Sequence, residues 1–166
     1  MKDLKVDEIV SSLIQFRMSP EKIESSINRL KENPSQQIKY VSDEELFLHF
    51  AALSLFVVDY STFSVFGDTK IKNIILDKFY NIIKISLPEE YPVLVRLVSL
   101  FSDAYTDKSK NEPLLNLGLV FSKCIIEGNE EDLITAMKCS SEFSASLIAT
   151  GDNLKGIKSD YNILLI

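Results

Sequence analysis

The chain has 166 residues, of which 46% are hydrophobic and 25% charged, and its formal net charge is −6. This composition excludes disordered, collagen-like and disulfide-stapled proteins, and the length suits one globular domain. The acidity disfavours nucleic acid and anionic membranes as partners. Cys124 and Cys139 lack the spacing of zinc ligands, so we expect two buried thiols in a reduced compartment.

The first two predicted helices are separated by a short break. Apolar residues at helical spacing predict helix 1 over Val6 to Arg17. Ser19 and Pro20 suit the N-cap and the first position of helix 2, and Asn33-Pro34 predicts its end, since the residue before a proline disfavours the α region. Basic and acidic side chains are mixed on helix 2, which is typical of a solvated face rather than of a DNA-recognition helix.

Helix 3 is predicted from Ser42 to Phe66. Ser42 and Glu45 have the spacing of a capping box, in which each side chain binds the other residue's backbone amide. The apolar run from Leu46 to Val58 is shorter than the ~20 residues of a membrane span, and Asp59 interrupts it. We therefore predict a core helix buried on nearly all sides, without a membrane span.

Helices 4 and 5 follow from spacing and from proline. Isoleucines at intervals of three and four predict a helix over Lys70 to Ile85, although isoleucine also favours strands. Pro88 suits the first turn of helix 5, which is predicted to run to about Tyr105. The charged residues 106–111 predict a surface loop.

Helices 6 and 7 are predicted to be joined by a very short turn. Pro113 opens helix 6 and Gly128 suits its end, while Asn129 suits the N-cap of helix 7. The acidic residues Glu130 to Asp132 would then fill the first turn of helix 7, which is predicted to end near Gly151. Helices linked so closely should form an antiparallel hairpin.

These elements predict an all-α fold. Their short connections indicate a single-domain bundle of about seven helices that spans residues 1–166, with a candidate apolar C-terminal tail at 157–166.

Small residues on the predicted hairpin indicate a close crossing of its two helices. Gly118 is unfavourable inside a helix by about 1 kcal/mol relative to alanine, which calls for a packing reason. Ala136, Ser140 and Ser144 place small side chains opposite it, at a spacing of four residues. Close helix packing is the simplest interpretation, and a small-molecule pocket at the same crossing is the alternative.

The sequence has one weak candidate for a polar site, on predicted helix 3. His49 is the single histidine, and Glu45 lies one helical turn before it. Two ligands do not complete a metal site, and the five glycines form neither of the common phosphate-binding motifs. We therefore predict no catalytic residue, metal or cofactor.

The C-terminal residues are unusually apolar for a chain end. All but Asn162 of the last six are apolar, and they are costly to expose. Folding back over the chain's own core is one interpretation. Contact with a partner or a second copy, by groove insertion or strand pairing, is the other. The candidate contact residues are Tyr161, Ile163, Leu164, Leu165 and Ile166.

The leading hypothesis for function is a non-enzymatic helical protein that acts by binding another protein or a second copy of itself. The alternative is a binder of a small apolar ligand or lipid, with a cavity among helices 3–5. A third hypothesis is an enzyme with an unrecognised site around His49. The first residues lack the apolar core of a signal peptide, so a cytoplasmic location is expected.

Overall fold

A computed structural model of the chain describes residues 2–32 and 38–165. The predicted end of helix 2 at Asn33-Pro34 lies outside the described residues. The fold class is confirmed, because most of the chain is helical and the helices pack as a bundle. The helices are α1 (Val6–Leu13), α2 (Pro20–Lys31), α3 (Asp43–Phe66), α4 (Lys70–Ser86), α5 (Tyr91–Thr106), α6 (Pro113–Ile125) and α7 (Leu133–Asp160).

The central element is α3, which packs against α2, α4, α5, α6 and α7. Its start is the predicted capping box, in which Ser42 Oγ accepts from the Glu45 amide at 3.2 Å. Side chains on nearly all sides of α3 are buried, which explains its apolar run. By length and composition α3 could also cross a membrane, a criterion that core helices of soluble proteins meet as well.

Four phenylalanines join the helices around α3. Phe121 of α6 lies at their centre, with its ring centroid 5.0 Å from that of Phe50, 5.5 Å from that of Phe101 and 5.2 Å from that of Phe143. These partners come from α3, α5 and α7, and two of the contacts are edge-to-face, an arrangement that aromatic rings favour. The cluster therefore packs α5, α6 and α7 together against α3.

The hairpin of α6 and α7 is antiparallel and tightly packed, as predicted. Ser140 Oγ donates to the Leu114 carbonyl at 2.9 Å, and Lys123 Nζ lies 2.6 Å from Glu131 Oε1. A residue at the start of α6 thus meets one inside α7, and a residue near the end of α6 meets one just before α7, which is an antiparallel arrangement. The connection is longer than predicted, because α6 ends at Ile125 and the extended Ile126 forms a β-bridge with Tyr40.

The predicted cap and end of helix 7 were wrong. Asp132 is the N-cap, and its carboxylate accepts from the Thr135 amide at 2.6 Å. Asn129 lies in a 3₁₀ turn with φ 56°. The helix continues through Gly151 to Asp160, because Gly151 does not adopt the positive φ of a C-terminal cap and the buried Leu154 stabilises the extension.

Helix 5 begins later than predicted. Pro88 lies in a turn, and Pro92 takes the first-turn position instead. A helix that began at Pro88 would place Pro92 four residues on. There its ring would clash with the carbonyl of residue 88 and the hydrogen bond between the two positions would be lost.

Two short strands join the ends of the described chain, which the sequence did not predict. Strand β1 (Lys2–Lys5) pairs in parallel with β2 (Tyr161–Leu164), and Leu4 lies opposite Ile163. Both of these side chains are partly buried against the core. The predicted tail therefore divides, since residues 157–160 belong to α7 and residues 161–164 to β2.

Candidate functional site

The two polar side chains predicted as a weak site on α3, Glu45 and His49, both form hydrogen bonds with nearby backbone groups. Nδ1 of the half-buried His49 lies 2.7 Å from the Glu45 carbonyl oxygen, and its ring lies edge-on to Phe121 at 6.5 Å between centroids. The Glu45 carboxylate accepts from the Ser42 amide at 3.3 Å. Within residues 2–32 and 38–165, no group of three His, Cys, Asp or Glu side chains is placed to hold a metal ion.

The predicted small residues lie at the crossing of α6 and α7. A Cβ added to Gly118 would overlap both Ser140 Oγ and the Ala136 carbonyl oxygen, so the backbones approach as closely as glycine allows. The Ala136 carbonyl oxygen lies 2.7 Å from Ser140 Oγ, so it shares the single hydroxyl proton with the Leu114 carbonyl and the hydroxyl is satisfied without a ligand. Ser144 is half-buried one helical turn further along α7.

A groove of about 530 Å³ opens beside this crossing. We call it the hairpin groove. The end of α5 supplies one wall, the first turn of α6 the second, and α7 the third. Its lining residues are Tyr105, Glu112, Pro113, Leu114, Leu115, Met137 and Ser140.

One wall of the hairpin groove is the aromatic ring of Tyr105. Burial raises the pKa of Tyr105 to about 12, and a side-chain hydrogen bond with Tyr60 adds to the shift. The two rings lie 4.8 Å apart between centroids and meet edge to face. Because most of the lining is apolar or aromatic, the groove suits an apolar occupant.

Exposed apolar side chains flank the hairpin groove on α7. Leu133, Ile134 and Met137 are 57%, 48% and 59% exposed. Residues three and four apart share one face of a helix, so these three form a single stripe, and Met137 also lines the groove. Exposed apolar residues gathered in this way typically mark interaction sites, whereas scattered ones need no explanation.

The structure separates this surface from the predicted tail contact. Tyr161, Ile163 and Leu164 are half-buried in β2, and Leu165 is exposed. Ile166 lies outside the described residues. Leu114, Leu115 and the stripe were not predicted as site residues, although Leu133, Ile134 and Met137 have helical spacing beside the small residues of α7.

No protein-family profile, curated protein or solved structure matches this chain.

Proposed function

We propose that this protein acts without catalysis, by associating with a second protein chain through the hairpin groove and its flanking stripe. The observation that carries the proposal is the stripe of Leu133, Ile134 and Met137, exposed beside a groove of about 530 Å³. Exposing these side chains costs free energy in proportion to their apolar area, and a partner that covers them recovers it.

A second copy of the chain is the occupant that the surface suits best. In a two-fold dimer, the two copies contact each other through the same surface patch. Such a patch must be complementary to itself, with a recess and a part that can enter it. The exposed stripe and the hairpin groove lie side by side on the same face, and Met137 belongs to both. One copy's Met137 region could therefore enter the groove of the other, while its own groove receives the reciprocal contact.

The sedimentation of the purified chain tests this proposal. We expect the wild type to approach twice the mass of the 18.8 kDa chain as its concentration rises. Each copy carries a net charge of −6, so added salt should strengthen the association by screening repulsion. The variant Met137→Glu should remain monomeric, because a buried carboxylate in the apolar groove is strongly unfavourable.

A matched control lies further along the same helix. Ile148 is 61% exposed on α7 but lies outside the groove, so Ile148→Glu should associate as the wild type does. A wild type that stays monomeric at every accessible concentration would overturn self-association. Equal weakening by both variants would show that the groove is not the interface.

The alternative of a small apolar ligand or lipid stays a proposal, and the hairpin groove is a second candidate location for it. The space predicted for it, between α3, α4 and α5, contains fully buried side chains such as Phe79 and Phe101. The hairpin groove has a volume in the usual range for small ligands. Extra mass in a native mass spectrum that disappears on denaturation would favour this alternative over a protein partner.

A further inference from the structure

A second cavity, on another face of the bundle, is lined by basic side chains. It lies between α2 and α7, has a volume of about 600 Å³, and continues into a smaller one of about 170 Å³. Together the two are called the arginine groove. Four cationic side chains and two carboxylates line it, whereas the whole chain has a net charge of −6. The cations are Arg17, Lys22, Arg29 and Lys138.

Arg17 reaches the arginine groove from a distorted helix. The chain after α1 forms a π-helical turn over Ile14–Met18, a feature that often accompanies functional sites. From this turn Arg17 Nε donates to Thr150 Oγ1 at 2.6 Å, and its terminal nitrogens donate to Ser146 Oγ at 3.1 Å and to the Ser146 carbonyl at 2.7 Å. All three acceptors are neutral, so these bonds hold the guanidinium without balancing its charge.

The nearest carboxylate already has a partner. Arg29 Nε lies 2.5 Å from Glu142 Oε1 and its Nη2 donates to Oε2 at 3.0 Å, which is a two-point ion pair. Burial lowers the pKa of Arg17, and the charge of Glu142 opposes that shift. An arginine remains protonated in proteins, so Arg17 carries an incompletely compensated positive charge.

The rest of the lining suits an anion that also has an organic body. Hydroxyl groups of Ser26, Ser141 and Ser146 line the cavity and can donate hydrogen bonds. Leu30 and Phe50 supply an apolar floor. A phosphomonoester fits both parts, because it carries nearly two negative charges and three acceptor oxygens.

We propose that the arginine groove binds a soluble phosphomonoester, with the phosphate among the cationic side chains of the lining and the organic part over Leu30 and Phe50. The net charge of the lining is balanced by a dianion, which favours phosphate over a single carboxylate. The site is separate from the hairpin groove, and it requires neither self-association nor catalysis.

Calorimetric titration with phenyl phosphate as the probe tests the proposal, with inorganic phosphate beside it. Phenyl phosphate should bind saturably and about tenfold more tightly than inorganic phosphate, since only it reaches the apolar floor. The partly exposed Lys138 can be changed without disturbing the core, so Lys138→Gln should weaken binding about tenfold. Lys155→Gln, on the exposed outer part of α7, is the matched control and should bind as the wild type does.

Arg17 is tested separately because its bonds also hold α7. Arg17→Lys keeps the charge but loses the planar fork, so binding should weaken while the circular dichroism of the folded protein is retained. Absence of saturable phenyl phosphate binding by the wild type would overturn the proposal, as would equal binding by Lys138→Gln and Lys155→Gln. Sedimentation with phosphatidate-containing vesicles, without binding of phenyl phosphate, would assign the groove to a lipid headgroup and also overturn it.

Discussion

Replacing Gly118 by alanine tests the close approach of α6 and α7. The new methyl group would overlap Ser140 Oγ and the Ala136 carbonyl oxygen. Ser140 could rotate, but the carbonyl belongs to the helix backbone, so the two helices must separate. Overpacking of this kind costs roughly 1–3 kcal/mol, and a backbone obstacle places the cost at the upper end. The better helix propensity of alanine returns about 1 kcal/mol.

The net effect of Gly118→Ala should be a loss of about 2 kcal/mol in the free energy of unfolding. For a chain of this size, that corresponds to a fall in Tm of roughly 4–8 °C, measured by thermal unfolding followed by circular dichroism.

Two other glycines in α7 provide matched controls. A Cβ added at Gly151 or Gly156 meets nothing within 4 Å, and neither residue has a positive φ. Gly151→Ala and Gly156→Ala should therefore raise Tm by up to about 4 °C through helix propensity alone. If Gly118→Ala raised Tm as these controls do, the close contact between α6 and α7 would be refuted.

Three further predictions concern charge, capping and the chain ends. Burial raises the pKa of Asp59, which accepts from Tyr80 Oη at 3.1 Å. A raised pKa destabilises the folded state once the carboxyl ionises, so in urea unfolding Asp59→Asn should be more stable than the wild type at pH 7. This gain in stability should shrink as the pH falls through the raised pKa of Asp59, since the wild-type carboxyl is then neutral as well. A gain that did not depend on pH would contradict a raised pKa for Asp59. Asp132→Ala should lower the free energy of unfolding by about 1 kcal/mol, because the N-cap hydrogen bond is lost. Asn129→Gly, at the cap position predicted from the sequence, should change it little. A larger loss for Asn129→Gly than for Asp132→Ala would contradict the observed cap. Deleting residues 161–166 should make the amides of Lys2–Lys5 exchange rapidly with deuterium, because they lose their paired strand, while the amides of α3 stay protected. Loss of protection in α3 would show instead that the C-terminal residues are needed for the stability of the core.

Local chemistry made most helix starts predictable. The hydroxyl of Ser42 and the ring of Pro113 act on neighbouring backbone groups, so their effects could be inferred without knowing the fold. The misplaced boundaries came from competing local signals. Pro88 and Pro92 both suit a helix start, and Asn129 and Asp132 both suit a cap; the structure uses the later member of each pair.

The strands and both grooves depend on distant parts of the chain. Lys2–Lys5 has too little apolar alternation to signal a strand, and its pairing depends on residues at the other end of the sequence. The arginine groove combines Arg17 from a π-helical turn with Ser146 of α7, and the periodicity that predicted helix 1 does not reveal that turn. Gly118 was recognisable because a costly residue inside a helix calls for a tertiary explanation.

The parallel pairing of β1 with β2 also determines how the molecule should respond to a pulling force. In a parallel pair, the start of one strand and the finish of the other lie at opposite ends of the ladder. Force applied to the two chain ends would therefore draw the strands past one another lengthwise and load their hydrogen bonds together, in shear. An antiparallel pair formed by the same ends would instead open bond by bond, like a zip. The short ladder should therefore resist a force applied to the two chain ends. In single-molecule stretching we expect the first force peak to report the rupture of the hydrogen bonds between β1 and β2.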